Sequence, residues 1–426
     1  MNAKKMAVAA GVAAMRPRRT VKTEIMLAVI CLASSVGAAA VWPVSPSVLA
    51  RTGQQSAGGG LIQDIHSSSI NDRGQIAYSA SVTGAPGTEG LFLRDGGVTS
   101  LRSLSSQAYS SLSMNSLSQI AYNKGGSVFL NSGGSDALCM DGGPGISFGA
   151  PSLNDNGVVL SVDRGTNQRI ILQESGSNRV LAWEYMSFPG IGTQAGRGFI
   201  NVNSSQAIAD SGDYVFCSEY DREGGGGRRT GVILGQDPGF TLIAQDDFLT
   251  TSLFGEAMIN NVGQIVFLAV PGSGQWKIYR QSNGTASVAI QPGMALDAAL
   301  GAQYQAYVNY RDGQNNIVLN DAGDIAFEYV DSGGTFQNRV GIAVLRGDTI
   351  WRIAREGEEV PGLPGVTLTS EFRSLDMNDR GELVFVNTLS DGTVGVFLVV
   401  PEPACAGLLA ISCILLRRSR RLGGSR

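Results

Sequence analysis

Two pairs of aspartates stand three residues apart around a glycine: Asp210 and Asp213 around Gly212, and Asp321 and Asp324 around Gly323. Carboxylates close to a turn glycine are what a calcium loop uses, but such a loop needs acids on alternate residues and usually a downstream Glu. Neither stretch has that alternation, and related stretches carry Gln75 or Gln264 where Asp324 stands. A turn is therefore the favoured reading. These four aspartates are candidates only for an incidental Ca2+, and no cofactor or resident metal is expected.

Other reactive residue types are scarce. His66 is the one histidine, which rules out a His-based zinc cluster or a relay of several histidines. A Ser-His-Asp arrangement around it lacks any nucleophile elbow. Gly224–Gly227, flanked by Arg222, Arg228 and Arg229, lacks the Lys-Ser/Thr and the following helix of a phosphate loop, so it reads as a surface loop. Glu356, Glu358 and Glu359 could supply the paired carboxylates of glycoside cleavage, although a solvated loop is the commoner fate of such a cluster. No catalytic residue is assigned.

The opening stretches belong to a recurrent phrase, and the elements it implies must position everything else. Aliphatic-Asn-Asp-x-Gly-x-aliphatic patterns recur with anchors at Asn71, Asn115, Asn154, Ala209, Asn260, Asn320 and Asn378. Their glycines are Gly74, Gly157, Gly212, Gly263, Gly323 and Gly381, with Ser118 in the second copy. Asn opens a turn by bonding the backbone ahead of it, and Gly takes the left-handed conformation beside a bulge. The second and fourth copies, with Ser118 and Ala209, should be the least regular. Gly-aliphatic strands follow at Gly90–Leu93, Gly341–Leu345 and Gly395–Leu398, and β-rich runs such as Val98–Leu104 come after several of them. Four short strands per repeat of 39 to 60 residues is the arithmetic of a propeller blade. The expectation is an all-β, seven-bladed β-propeller of four-stranded blades over 61–400, with a β-solenoid as the alternative. The seventh copy lacks a fourth strand, which an N-terminal strand near Leu61–Ile65 could supply; 41–60 reads as linker.

Composition agrees with this. Glycine stands at 57 residues, and charged residues fall to 16% against a usual quarter. Residues 51–400 hold 34 acidic and 21 basic side chains, a net of −13, which argues against nucleic acid as a partner. Cys139 and Cys217 are the only cysteines of this body, and they read either as one disulfide or as two buried thiols.

The two ends read as addresses. Arg16, Arg18, Arg19 and Lys22, the apolar run Ile25–Ala33 and Ala38-Ala39-Ala40 form the three parts of a signal peptide over 1–40, with a second possible cleavage after Ala50. At the other end stand Pro401-Glu402-Pro403, the apolar Ala404–Leu416, and Arg417, Arg418, Arg420 and Arg421. This closely resembles the PEP-CTERM sorting signal of bacterial exosortase substrates, spanning 401–426. The resemblance implies partners in an exosortase and the export machinery, and a short apolar helix that enters the membrane transiently. Thirteen apolar residues fall short of the roughly 20 that span a bilayer. The repeats are also similar to Asn-x-x-Gly-x-x-x-Phe tandem repeats of extracellular bacterial proteins, cousins of HAF-type repeats, which implies a propeller. The combined expectation is an exported cell-envelope or extracellular-matrix protein, binding or structural and not catalytic, with envelope polysaccharide as a candidate partner. The rival is an extracellular glycan hydrolase or lyase using loop carboxylates.

Overall fold

Each Asn-x-x-Gly phrase folds as a five-residue turn between the two innermost strands of a blade. In the first copy, Asn71 Oδ1 accepts the amides of Arg73 (3.1 Å) and Gln75 (3.0 Å), while Gly74 N donates to Asn71 O and Asn71 N to Gln75 O. Closing this loop demands a positive φ at its fourth residue, +76° at Gly74, where a β-carbon is unfavourable. The structure is a computed structural model that describes residues 45–401 apart from 85–87, 166–167, 185, 187–205, 222–227, 238, 246–252, 271–275, 298–301, 306–316 and 334–335. The expected signal helix and C-terminal apolar helix fall outside the described residues, among which there is no helix long and apolar enough to cross a membrane.

The second turn is as regular as the others, and the fourth keeps their backbone bonds while losing those of the asparagine side chain. Ser118 adopts φ +64° and donates its amide to Asn115 O, as the glycines do. Ala209 keeps both backbone bonds, Ala209 N to Asp213 O and Gly212 N to Ala209 O. The hairpin geometry is imposed by the strands on either side, so losing a preferred residue costs energy without changing the turn.

Seven separate antiparallel sheets follow one another along the chain, each strand pairing with the next. Blade 1 comprises Ile62–Ile70, Ile76–Val82, Glu89–Asp95 and Val98–Ser105, and the pattern repeats through blade 6, whose sheet gains two extra strands, Ala295–Asp297 and Ala302–Gln305. The molecule is all-β, a seven-bladed β-propeller rather than a solenoid. Blade 7 has Leu368–Met377, Leu383–Leu389 and Val394–Val399, completed by an N-terminal strand. That strand is Ser47–Arg51, not Leu61–Ile65: it pairs antiparallel with Val394–Val399, Ser47 opposite Leu398. Ile62–Ile70 is instead the inner strand of blade 1, so the stretch read as linker contains the closing strand. Ala50 is buried in it, and cleavage after Ala50 would remove it from the fold.

Seven apolar clusters fill the seven interfaces between neighbouring blades. The aromatic residue ending the phrase supplies a repeated element of this core. Tyr78, Tyr122, Phe267 and Phe385 stand directly opposite Phe92, Phe129, Tyr279 and Phe397 on the third strand, with ring centroids 5.0 to 5.8 Å apart and planes within 17°. Such cross-strand aromatic pairs hold register as well as burying area.

The two faces of the disc differ. On one lie the seven five-residue inner turns and the two-residue hairpins joining third and fourth strands. Every long connection, including 141–151, 184–206, 291–316 and 356–367, joins strand ends at the opposite face.

Candidate functional site

The inner turns meet around the propeller axis, and their side chains form a ring that can be built up position by position. With the Asn of each phrase as the origin, its side-chain amide donates to the backbone carbonyl of the corresponding residue one blade on. The bonds run from Asn71 to Asn115 (2.8 Å), Asn115 to Asn154 (3.0 Å), Asn154 to Ala209 (3.1 Å), Asn260 to Asn320 (2.9 Å), Asn320 to Asn378 (3.1 Å) and Asn378 back to Asn71 (2.9 Å). Ala209 has no side-chain amide to make the seventh. All six asparagines are buried, where an unpaired amide would be costly.

The next residue makes a second ring. Its amide donates to the side chain of its counterpart one blade on: Ser116 to Asp155, Asp155 to Asp210, Asp210 to Asn261, Asn261 to Asp321, and Asp321 to Asp379, each at 2.7 Å, and Asp379 to Asp72 at 2.8 Å. Ser116 Oγ completes it with a donation to Asp72 Oδ2 at 3.3 Å. Two residues before the Asn, a third layer binds blades 7 to 4: Asp376 Oδ2 accepts Ile70 N and Ser69 Oγ, Ser69 accepts Met114 N, Ser113 accepts Leu153 N, and Ser152 accepts Ile208 N.

These rings surround the mouth of an axial channel. A cavity of about 180 Å3 is collared by Asp72, Asp155, Asp210, Asp321 and Asp379 with Ser116 and Asn261. A deeper one of about 110 Å3, sharing Ser113 and Asp376 with it, is walled by serines, among them Ser67, Ser111, Ser152 and Ser374. Burial, joined by the neighbouring carboxylates of Asp72 and Asp321, pushes Asp379 up to about 6. Burial likewise raises Asp376 to about 6 against the bonds from Ser69, Ile70 and Met377. Asp210 is also raised, by burial and by Asp155, Asp321 and Asp72. Ionising one carboxylate of such a collar disfavours the next.

The aspartate pairs flagged for calcium are split by this arrangement. Asp210 and Asp321 face the mouth, whereas Asp213 accepts Gln236 Nε2 at 3.1 Å and Asp324 pairs with Arg346 at 2.6 Å. Among the described residues no group of three or more His, Cys, Asp or Glu side chains is arranged to hold a metal ion.

His66 Nε2 lies 2.9 Å from Ser81 Oγ and 3.0 Å from Glu89 Oε2, and Ser81 Oγ donates to Glu89 Oε1 at 2.8 Å. The serine proton is thus directed to the glutamate rather than to the imidazole. Glu356 accepts Val340 N at 3.3 Å and Glu359 accepts Gly365 N at 2.8 Å, while Glu358 lies 3.5 Å from Arg352. Gly224–Gly227 falls outside the described residues. Cys139 and Cys217 are not a disulfide: both are buried thiols, and burial pushes Cys139 up to about 11 and Cys217 higher still. Of the sorting signal only Pro401 is described; a β-carbon on Gly381 would lie 3.5 Å from its Cγ.

The serine and aspartate column two residues before the Asn was not singled out in the sequence. Aligning the phrases two residues further back shows it as Ser69, Ser113, Ser152 and Asp376 among Ala207, Met258 and Val318.

Among solved structures, a puromycin-hydrolysing peptidase of Mycobacterium tuberculosis is 11% identical with a TM-score of 0.50, over 76% of this chain and 49% of that one. An acylaminoacyl peptidase of Pyrococcus horikoshii is 10% identical with a TM-score of 0.48, over 80% of this chain and 52% of that one. The Cps50 (Swd1) β-propeller domain of Myceliophteria thermophila is 10% identical with a TM-score of 0.47, over 78% and 96%. The chain spans about half the length of the two peptidases, and the likeness is one of fold alone. No curated protein matches the sequence. Residues 45–407, from just before the closing strand to just beyond the last blade, match the family of unknown function DUF7453, and the chain belongs to that family.

Proposed function

We propose that this protein is an exported propeller of the cell envelope or extracellular matrix, tethered or processed through its PEP-CTERM-like end, and that it binds or scaffolds rather than catalyses. The observation that carries the reading is the placement of the chain ends. Ser47 stands opposite Leu398, and Val399 opposite Leu383 just after the last inner turn, so both ends of the propeller leave blade 7 on the face of the Asn-Asp rings. The strand ends that the long connections join lie at the other face. Chain ends leaving at one face, and long connections joining strand ends at the other, suit a surface-displayed binding module, in which insertions gather on the face that meets partners. The ring carboxylates also support a scaffolding role, because each accepts a backbone amide or hydroxyl from the neighbouring blade.

The test is cell fractionation with surface proteolysis of the wild-type chain and of a variant with Pro401, Glu402 and Pro403 replaced by alanine. Surface exposure of the wild type and retention of an unprocessed, membrane-associated variant are expected. A wild-type chain found only in the cytoplasm overturns the reading. So does turnover of an envelope polysaccharide that a single carboxylate substitution abolishes.

A further inference from the structure

A second concavity lies away from the axis, where blades 6 and 7 meet the residues leading into the closing strand. It encloses about 340 Å3, within the size range of small-molecule sites and larger than either part of the axial channel. Arg352, on the outer strand of blade 6, and Glu358 and Glu359, on the connection to blade 7, converge on it, against an apolar wall that includes Pro46, Pro361 and Leu368. We infer that this cavity is a binding site for a single neutral pyranose, such as a residue of an envelope polysaccharide.

The chemistry of the lining selects that class. Carboxylates accept, and a guanidinium donates, in the forked geometry that vicinal hydroxyls satisfy two at a time. The proline and leucine wall offers an apolar surface to the C–H face of a sugar ring. Two carboxylates and one guanidinium line the cavity, and Arg355 and Arg339 also act on Glu358, so no excess of cations in the lining selects uronates, sialic acids or phosphates. Its volume is ample for one pyranose ring. Glu358 is half-buried, and burial raises its carboxyl above the ordinary range despite Arg352 at 3.5 Å; a desolvated carboxyl with spare acceptor capacity gains most from a hydroxyl donor. Glu359 is exposed, with one oxygen held by Gly365 N.

The inference gives the proposed binding role a place, and rests on that role only for where the sugar comes from. The full chain would be titrated by calorimetry and saturation-transfer NMR with methyl glucoside, methyl galactoside, methyl mannoside and methyl N-acetylglucosaminide, with glucuronate as the anionic control. At least one neutral glycoside should bind saturably and glucuronate more weakly. Glu358→Gln and Glu359→Gln should each reduce affinity by about tenfold, as expected for losing a charge-assisted bond, with circular dichroism unchanged. Glu359→Gln, at an exposed position, separates binding from folding. Absence of saturable binding by any of the neutral glycosides overturns the inference, and so does wild-type affinity in the folded double variant. Sugar binding by a chain that is not sorted overturns only the sorting proposal; correct sorting without sugar binding overturns only this one.

Discussion

The side-chain amide of Asn378 donates to the backbone carbonyl of Asn71 at 2.9 Å, across 307 residues of chain. The same bond joins five other pairs of blades, but here it closes the circle. Its partner in closure is the pairing of Ser47–Arg51 with Val394–Val399. Ring closure thus joins polar contacts at the axis, this one with those of Asp379 to Asp72 and of Ile70 and Ser69 to Asp376, to one strand at the rim and the apolar seam between blades 7 and 1.

Removing the polar contact should be costly. Asn378 is buried, donates to Asn71 O and Glu382 Oε2, and accepts the amides of Arg380 and Glu382. Asn378→Ala should destabilise by about 2 kcal/mol or more, since the buried carbonyl of Asn71 and three part-buried bonds are lost at once. Ala209→Asn supplies the one missing donor of the ring and should stabilise by about 1 kcal/mol. Urea denaturation of both variants reads the two signs; a destabilised Ala209→Asn would show that the fourth turn has no room for the amide.

Two of the turn glycines separate backbone from packing. A β-carbon on Gly263 meets nothing within 4 Å, so Gly263→Ala should cost only the left-handed backbone term, roughly 1 kcal/mol. On Gly381 the same carbon would collide with the Arg346 guanidinium, which is paired with Asp324. Gly381→Ala should therefore cost more than Gly263→Ala in thermal melts, and equal costs would mean that Arg346 moves freely aside.

Deleting residues 45–51 should open the propeller. Val394–Val399 is buried along nearly its whole length and would become an unprotected edge, which invites intermolecular pairing. Arg51 would also be lost from its ion pair with Asp391 and its bond to Thr393. Size-exclusion chromatography should show aggregates or strand-exchanged oligomers; a monomer of unchanged stability would mean that the rim strand is dispensable.

What the sequence made legible follows from which residues the backbone constrains. The turns were readable because a positive φ at the fourth position and an Asn that caps the turn admit few residue types, and seven copies expose the pattern. The closing strand was not, because Ser47–Arg51 is short, carries no turn signal and contains Val48-Leu49-Ala50, which also reads as a cleavage site. The interblade serines were hidden for another reason. A serine accepting a neighbour's amide looks like any strand serine until the neighbour is in place, and Met258 and Val318 break the column. Ala209 shows the limit of residue preference, since its turn forms without the asparagine.

The carboxylates at the axis make stability depend on pH in a direction opposite to the usual one. Asp376 and Asp379 are held up to about 6 in the folded chain, against about 3.9 when unfolded. Between about pH 4 and pH 6 the folded state therefore binds more protons than the unfolded state, so this contribution to stability falls as pH rises through that window. Asp391 acts the other way: the Thr393 hydroxyl holds it below the ordinary range, and its contribution is lost as pH falls below about 4. Asn261 already occupies the ring position of Asp379 in blade 5 and accepts the Asp210 amide through Oδ1 at 2.7 Å. Asp379→Asn should thus keep the ring bond from Asp321 N while removing a charge. The expected result is a flatter stability profile between about pH 4 and pH 6 and a more stable protein at pH 7, measured by urea denaturation across that range. An unchanged profile would show that the collar does not titrate in this window, and a variant destabilised at pH 7 would mean that the charge at position 379 strengthens the seam between blades 7 and 1.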